Sequence, residues 1–146
     1  RVFVDCEEDK EGKYAQYRFF AYVSSMYHKC EVLINETIPG KSGKNHKVPI
    51  AVKNNGMYIA IGFNKPTGHA VSKKDIEKFY KIANDVKNGE HGTQLVDAIF
   101  ASSAGFKGEA VVELEKLSKT IESDSEYKLN FKTANFENRI YSVTKC

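Results

Sequence analysis

Two cysteines bracket this chain of 146 residues: Cys6 follows a short apolar run near the N-terminus, and Cys146 is the final residue. A disulfide between them would close nearly the whole chain into one loop, which removes about 4 to 5 kcal/mol of unfolded-state freedom in the chain-entropy description. Because three cysteines are an odd number, Cys30 is left as a buried or free thiol. This pairing predicts a compact secreted protein; the alternative is three reduced thiols in a cytosolic chain.

The composition predicts one globular domain spanning residues 1–146. Apolar residues make up 41% of the chain and charged residues 28%, which is typical of a folded domain and not of a disordered one. No apolar run approaches the roughly 18 to 20 residues of a membrane span, so no membrane contact is expected. The chain begins at Arg1 with neither Met nor signal peptide, as expected of a mature form. Asn35 opens a glycosylation sequon, which fits a secretory route.

The spacing of apolar residues predicts the α+β class: a central antiparallel sheet packed against an N-terminal helix, with an additional helical segment at about 72–121. The segment 13–29 also has the aromatic and β-branched content of a strand, but its helical spacing favours a helix. The predicted strands are 2–6, 30–37, 48–53, 57–63, 127–132 and 139–144, and the predicted helices are 13–29, 72–88, a segment from Thr93, and 109–121.

Short motifs fix several boundaries of these elements. Asn54-Asn55-Gly56 supplies residues that tolerate positive φ, so a tight hairpin is expected there. Ser72 followed by Asp75 forms a variant capping box at the start of a helix, and Asn88-Gly89 ends that helix. A zinc site on His69 and His91 lacks further ligands at usable spacing, so neither a metal nor a cofactor is expected.

The first 60 residues and the final hairpin carry a set of short motifs: a strand ending at Cys6, Lys13-Tyr14, Arg18-Phe19-Phe20, His46 before Val48-Pro49-Ile50, and the terminal Cys146. In these motifs the chain resembles the secreted fungal ribonuclease superfamily, which includes guanyl-type ribonucleases, ribotoxins and the ribonuclease-like effectors of powdery mildew fungi. Members of that superfamily join an early cysteine to a late one. The helices between 72 and 121 would then be an insertion or extension.

The resemblance implies a reaction in which a ribose 2′-oxygen attacks its own phosphate. That reaction needs a base, an acid for the leaving oxygen and an arginine for the phosphoryl charge. His46 and Arg139 are the catalytic candidates, but no histidine follows His91 and the strand 57–63 carries no acid. The resemblance therefore implies a ribonuclease-like scaffold that has lost its activity.

The resemblance implies a secreted fungal effector, a virulence protein of a plant pathogen. Such a protein would act by binding, either outside host cells or after translocation into them. The expected partner is a host protein, such as an immune receptor, or RNA, and a monomer is expected. The alternatives are an active ribonuclease or ribotoxin that uses His46 and Arg139, and a secreted small-ligand or carbohydrate-binding module. The net charge of +3 permits a polyanionic partner. The predicted binding residues are Lys41, Lys44, His46, Lys47, Lys53 and Tyr58.

These binding residues suit single-stranded RNA because lysines contact phosphates and aromatic rings stack on bases. The alternative for the same residues is a solvated basic loop without a ligand.

Overall fold

A computed structural model describes residues 13–65, 69–122 and 128–136. Within these ranges the chain forms three helices and five strands in the order α-β-β-β-α-β-α-β. They are α1 (Lys13–Met26), β1 (Glu31–Pro39), β2 (Asn45–Asn54), β3 (Met57–Asn64), α2 (Lys73–Lys87), β4 (Asp97–Ser102), α3 (Gly108–Glu122) and β5 (Asn130–Asn135).

The five strands form one mixed sheet in the order β1-β2-β3-β4-β5. The first three strands pair antiparallel as a meander, whereas β4 and β5 pair parallel because α2 and α3 act as crossover connections. The predicted α+β class and the helix ahead of the sheet are confirmed. The sheet is mixed, however, and not antiparallel throughout as the sequence predicted.

The helices cover the two faces of the sheet as separate layers. On one face Phe19 and Val23 of α1 pack in an apolar cluster with alternate strand residues such as Ile99. On the other face Phe79 of α2 packs with Phe100 and with residues of α3. Because adjacent residues of β4 point to opposite faces, strand β4 is buried between both layers.

The side-chain alternation of β1 and β2 inverts at one point in the ladder. Val48 lies in the α2 cluster whereas Ile50, two residues on, lies in the α1 cluster. Asn35 and Pro49 interrupt the pairing here, and Asn35 has a left-handed φ of 54°. Gln16 of α1 bridges the two strands: its Nε2 donates to Asn35 Oδ1 at 2.9 Å and to the Pro49 carbonyl at 3.3 Å. This inversion turns the first half of β2 toward α2.

The predicted turn and cap motifs are confirmed. Asn55 and Gly56 have φ values of 53° and 80° and join β2 to β3 in a tight hairpin. Ser72 caps α2, since its side chain accepts from the Asp75 backbone amide while the Asp75 carboxylate accepts from the Ser72 amide. Asn88 ends the same helix, and its backbone amide donates to the Asn84 carbonyl at 3.1 Å.

The helix predicted from Thr93 is wrong, because residues 97–102 form strand β4. All six residues of β4 are buried, and a strand covered on both faces is apolar at nearly every position. Such a run also matches the spacing of a buried helix, so the apolar pattern predicts a helix where a strand forms. Helix α2 and helix α3 account for the rest of the predicted helical segment.

Several predicted features lie outside the described residues, namely strands 2–6 and 139–144, Arg139, and the predicted disulfide between Cys6 and Cys146. Cys30 is a free, half-buried thiol just before β1. Among the helices of the described ranges, none has the length and apolar content needed to cross a membrane.

Candidate functional site

The turn between β1 and β2 is fastened to helix α2 by one residue, Asp85. The Lys41 backbone amide donates to the Asp85 carbonyl at 3.0 Å. The Ser42 amide donates to Asp85 Oδ1 at 2.9 Å, and the Ser42 hydroxyl donates to Asp85 Oδ2 at 2.7 Å. The turn is therefore held in a fixed position beside the C-terminal half of α2.

His46, on the part of β2 that faces α2, contacts the same carboxylate. His46 Nε2 lies 2.6 Å from Asp85 Oδ2, and both side chains are largely buried. The hydrogen bonds from His46 and then from Ser42 lower the pKa of Asp85 from 3.8 to about 2. Asp85 is thus ionised at neutral pH, so His46 Nε2 carries the proton and donates to it.

Gly40 is required for this close approach. A Cβ atom on Gly40 would lie 2.0 Å from Asp85 Oδ2, far inside van der Waals contact. On the other side, a Cβ on Gly89 would lie 3.1 Å from the Lys41 nitrogen. The two glycines let the turn and the end of α2 lie backbone against backbone.

Beside this junction lies an open groove with a volume of about 1090 Å³. Five lysines line it against only two carboxylates, Glu77 and Asp85, and Asp85 is already bonded to His46 and Ser42. The lysines come from two elements, the turn and the helix: Lys41, Lys44, Lys74, Lys78 and Lys81. The groove is therefore an anion-attracting surface.

Three of the groove lysines lie on one side of α2. Lys74, Lys78, Lys81 and Asp85 are spaced by four, three and four residues, which places them in one row along the helix. The row runs for about 16 Å at the helical rise of 1.5 Å per residue. Asp85 ends the row where it fastens the turn, so Lys41 and Lys44 continue the basic surface.

Tyr80 supplies an aromatic ring at the groove. Its side chain is half-buried and lines the groove, while its ring lies against Phe131 with centroids 5.7 Å apart. The packing against Phe131 holds the tyrosine ring in place without covering it completely.

The structure brings together only part of the predicted binding set. Lys41, Lys44 and His46 meet at the groove. Lys47 is exposed but follows His46 directly in a strand, so its side chain points to the opposite face of the sheet.

Lys53 and Tyr58 form a separate cluster with Glu36. Tyr58 donates to Glu36 at 2.8 Å, and Lys53 Nζ lies 3.9 Å from the same carboxylate and 4.8 Å from the centre of the tyrosine ring. Burial, followed by the bond to Glu36, raises the pKa of Tyr58. Tyr58 is only 6% exposed, so little of its ring surface is open for stacking on a base.

The remaining predicted site residues are placed as follows. Asn35 is an exposed residue of β1, the first strand in the order of the five described ones, and its side-chain oxygen accepts from Gln16. Within the described ranges no group of three or more His, Cys, Asp or Glu side chains could hold a metal ion.

Ser42 donates to Asp85 and not to His46, which does not match a serine–histidine nucleophile pair.

Sequence reasoning missed the groove residues of α2, namely Lys74, Lys78, Lys81, Tyr80 and Asp85. A signal for the lysines was present, since they repeat at helical spacing on the side opposite the apolar stripe. The link from Asp85 to Ser42 spans 43 residues and has no local signature in the sequence.

The chain is similar in structure to a solved protein of unknown function, AF1548, with a TM-score of 0.53 and 14% sequence identity. The similarity covers 83% of this chain and 58% of that protein, so the chain spans less than two thirds of its length. At this identity the likeness shows the fold alone. Comparison with protein-family models and with curated proteins found no match.

Proposed function

We propose that this chain is a nucleic-acid-binding domain that holds a sugar–phosphate backbone in the groove between the 40–44 turn and helix α2. The observation that carries the proposal is the set of five lysines which converge on one groove from two elements. Lysine ammonium groups act as point charges that neutralise phosphates and release their condensed counterions.

The shape of the basic surface supports an extended polyanion over a single small anion. The lysines of α2 extend over about 10 Å along the helix, from Lys74 to Lys81, whereas one phosphate group is contacted within a few ångströms. The five lysines are exposed, so contact with phosphates costs little desolvation.

The proposal keeps the RNA-binding part of the function predicted from the sequence and moves its centre from Lys53 and Tyr58 to α2. The ribonuclease-like origin, the fungal source, secretion and a host target stay predictions of the resemblance.

A second candidate function is phosphodiester cleavage. The observation that favours it is the contact between His46 and Asp85 at the edge of the basic groove, because a carboxylate that orients an imidazole is a common arrangement for a general base. Binding and cleavage are separable in the same experiment.

The test measures binding of fluorescent 12-nucleotide RNA and DNA by anisotropy at several salt concentrations. We expect the triple variant Lys74→Ala, Lys78→Ala and Lys81→Ala to bind at least tenfold more weakly. Its slope of log K against log salt should be smaller by about 2, because each phosphate that a lysine neutralises on a single strand adds about 0.7 to that slope. Gel analysis of the same RNA measures cleavage, with His46→Ala for comparison.

The control is a triple variant that removes the same charge elsewhere: Lys107→Ala, Lys116→Ala and Lys128→Ala, all exposed. It should bind as the unmodified protein does. An equal decrease of affinity in both triple variants, or an unchanged affinity in the groove variant, would overturn the proposal. Cleavage that disappears in His46→Ala would establish the second function instead.

A further inference from the structure

We infer that the groove receives one nucleic-acid strand and not a duplex. This inference rests on the proposed function and names the form of the ligand. Three features of the groove carry it: its volume, the arrangement of its lysines on two elements, and the tyrosine ring beside them.

The volume of the groove fits a single strand. At about 1090 Å³ it is close to the upper size of small-molecule pockets, which reach about 1,000 Å³. A segment of a few nucleotides fits such a space. The same volume holds only half that length of duplex, because a duplex carries two nucleotides at each step.

The placement of the lysines also favours one strand. Lys41 and Lys44 belong to the turn, and Lys74, Lys78 and Lys81 belong to α2. A strand lying between the two elements is contacted by both groups of lysines. A duplex that rests on the lysines of α2 contacts those lysines first. Lys41 and Lys44 of the turn then lie at the edge of the contact.

The ring of Tyr80 gives a reason for the bases themselves to bind. It lines the groove, and its contact with Phe131, tilted at 56°, holds the ring in place. An unpaired base can stack on such a ring, and the stacking tolerates any base because each has a π-face. In a duplex the faces of the bases are covered by their neighbours, so Tyr80 has no partner there.

The groove is also pre-organised for a flexible ligand. Asp85 fixes the turn to α2 through both its backbone and its side chain. A single strand loses conformational freedom on binding, and a site that is already ordered adds little to that cost.

The experiment compares 12-nucleotide single strands of RNA and DNA with the blunt duplexes of the same sequence, at one salt concentration. We expect at least one single strand to bind tenfold or more tightly than its duplex. Tyr80→Leu keeps an apolar side chain against Phe131 but removes the ring; it should weaken single-strand binding by about tenfold and leave duplex binding unchanged. Tyr80→Phe keeps the ring and should bind like the unmodified protein. Melting temperatures confirm that each variant is folded.

The outcomes separate this inference from the proposed function. Duplex binding equal to or tighter than single-strand binding, or an equal decrease of both in Tyr80→Leu, overturns the inference while the groove lysines still matter. Absence of binding to any oligonucleotide overturns the proposed function and the inference with it. The RNA and DNA arms show which sugar the groove accepts.

Discussion

Asp85 Oδ2 and His46 Nε2 lie 2.6 Å apart and join helix α2 to strand β2. The same carboxylate accepts from the Ser42 hydroxyl and amide, so one residue fixes both the turn and the first half of β2. These bonds favour the ionised carboxylate, which is why the pKa of Asp85 falls to about 2.

We therefore predict that Asp85 stabilises the fold in a pH-dependent way. Its folded pKa of about 2 lies below its ordinary value of 3.8, so its contribution is complete above about pH 4 and is lost as pH falls toward 2. Asp85→Asn should lower the free energy of unfolding at pH 7, and the difference from the unmodified protein should shrink between pH 4 and 2. Urea denaturation at each pH across that range measures this difference in the free energy of unfolding. Glu77→Gln, an exposed change on the same helix, should have little effect at any pH; a difference for Asp85→Asn that does not change with pH would contradict the prediction.

The sequence predicts the start of helix α2 correctly, but its prediction for strand β4 is wrong. The cap of α2 at Ser72 and the turn at Asn55 were predicted correctly because both depend on chemistry within four residues. The sequence predicts a helix where β4 forms, because an apolar run buried on both faces of a sheet also matches the spacing of a buried helix. The bond from Asp85 to Ser42 depends on how distant elements pack, so no local pattern contains it.

Asn35 should tolerate glycine better than alanine. Its φ of 54° lies in the left-handed region, which glycine adopts freely and alanine adopts at a cost of about 1 to 2 kcal/mol. Both substitutions remove the bond from Gln16 and the glycosylation sequon. The difference between their melting temperatures therefore reports the cost of the backbone conformation at residue 35. We expect Asn35→Ala to have the lower melting temperature of the two. Equal melting temperatures would show that the chain relaxes out of this conformation.

Gly62 should not accept a methyl group. It lies in β3 beneath the Phe19 ring of α1, and a Cβ atom there would be 2.5 Å from Phe19 Cζ. Both residues are buried, so the ring has little room to move. We expect Gly62→Ala to destabilise the fold by about 1 to 3 kcal/mol, measured by urea denaturation. Gly108→Ala adds the same methyl group where nothing lies within 4 Å, and it should leave stability unchanged or slightly higher. A neutral Gly62→Ala would mean that α1 shifts to make room.

The hydroxyl of Tyr27, just after α1, should stabilise the fold through a buried carboxylate. Tyr27 donates to Asp97 Oδ2, and Asp97 is only 7% exposed. Burial and this bond raise the pKa of Tyr27, so it stays a donor at neutral pH. Lys132 lies 3.3 Å from the same carboxylate and compensates part of its charge.

We expect Tyr27→Phe to lower the free energy of unfolding by about 1 to 3 kcal/mol, because a buried acceptor loses one of its donors. Tyr17→Phe removes a hydroxyl from a ring that is 64% exposed, and the free energy of unfolding should not change. If the two variants unfold at the same urea concentration, Lys132 and the Asn130 amide, which donates to Asp97 Oδ1 at 3.4 Å, satisfy Asp97 and the tyrosine bond adds nothing.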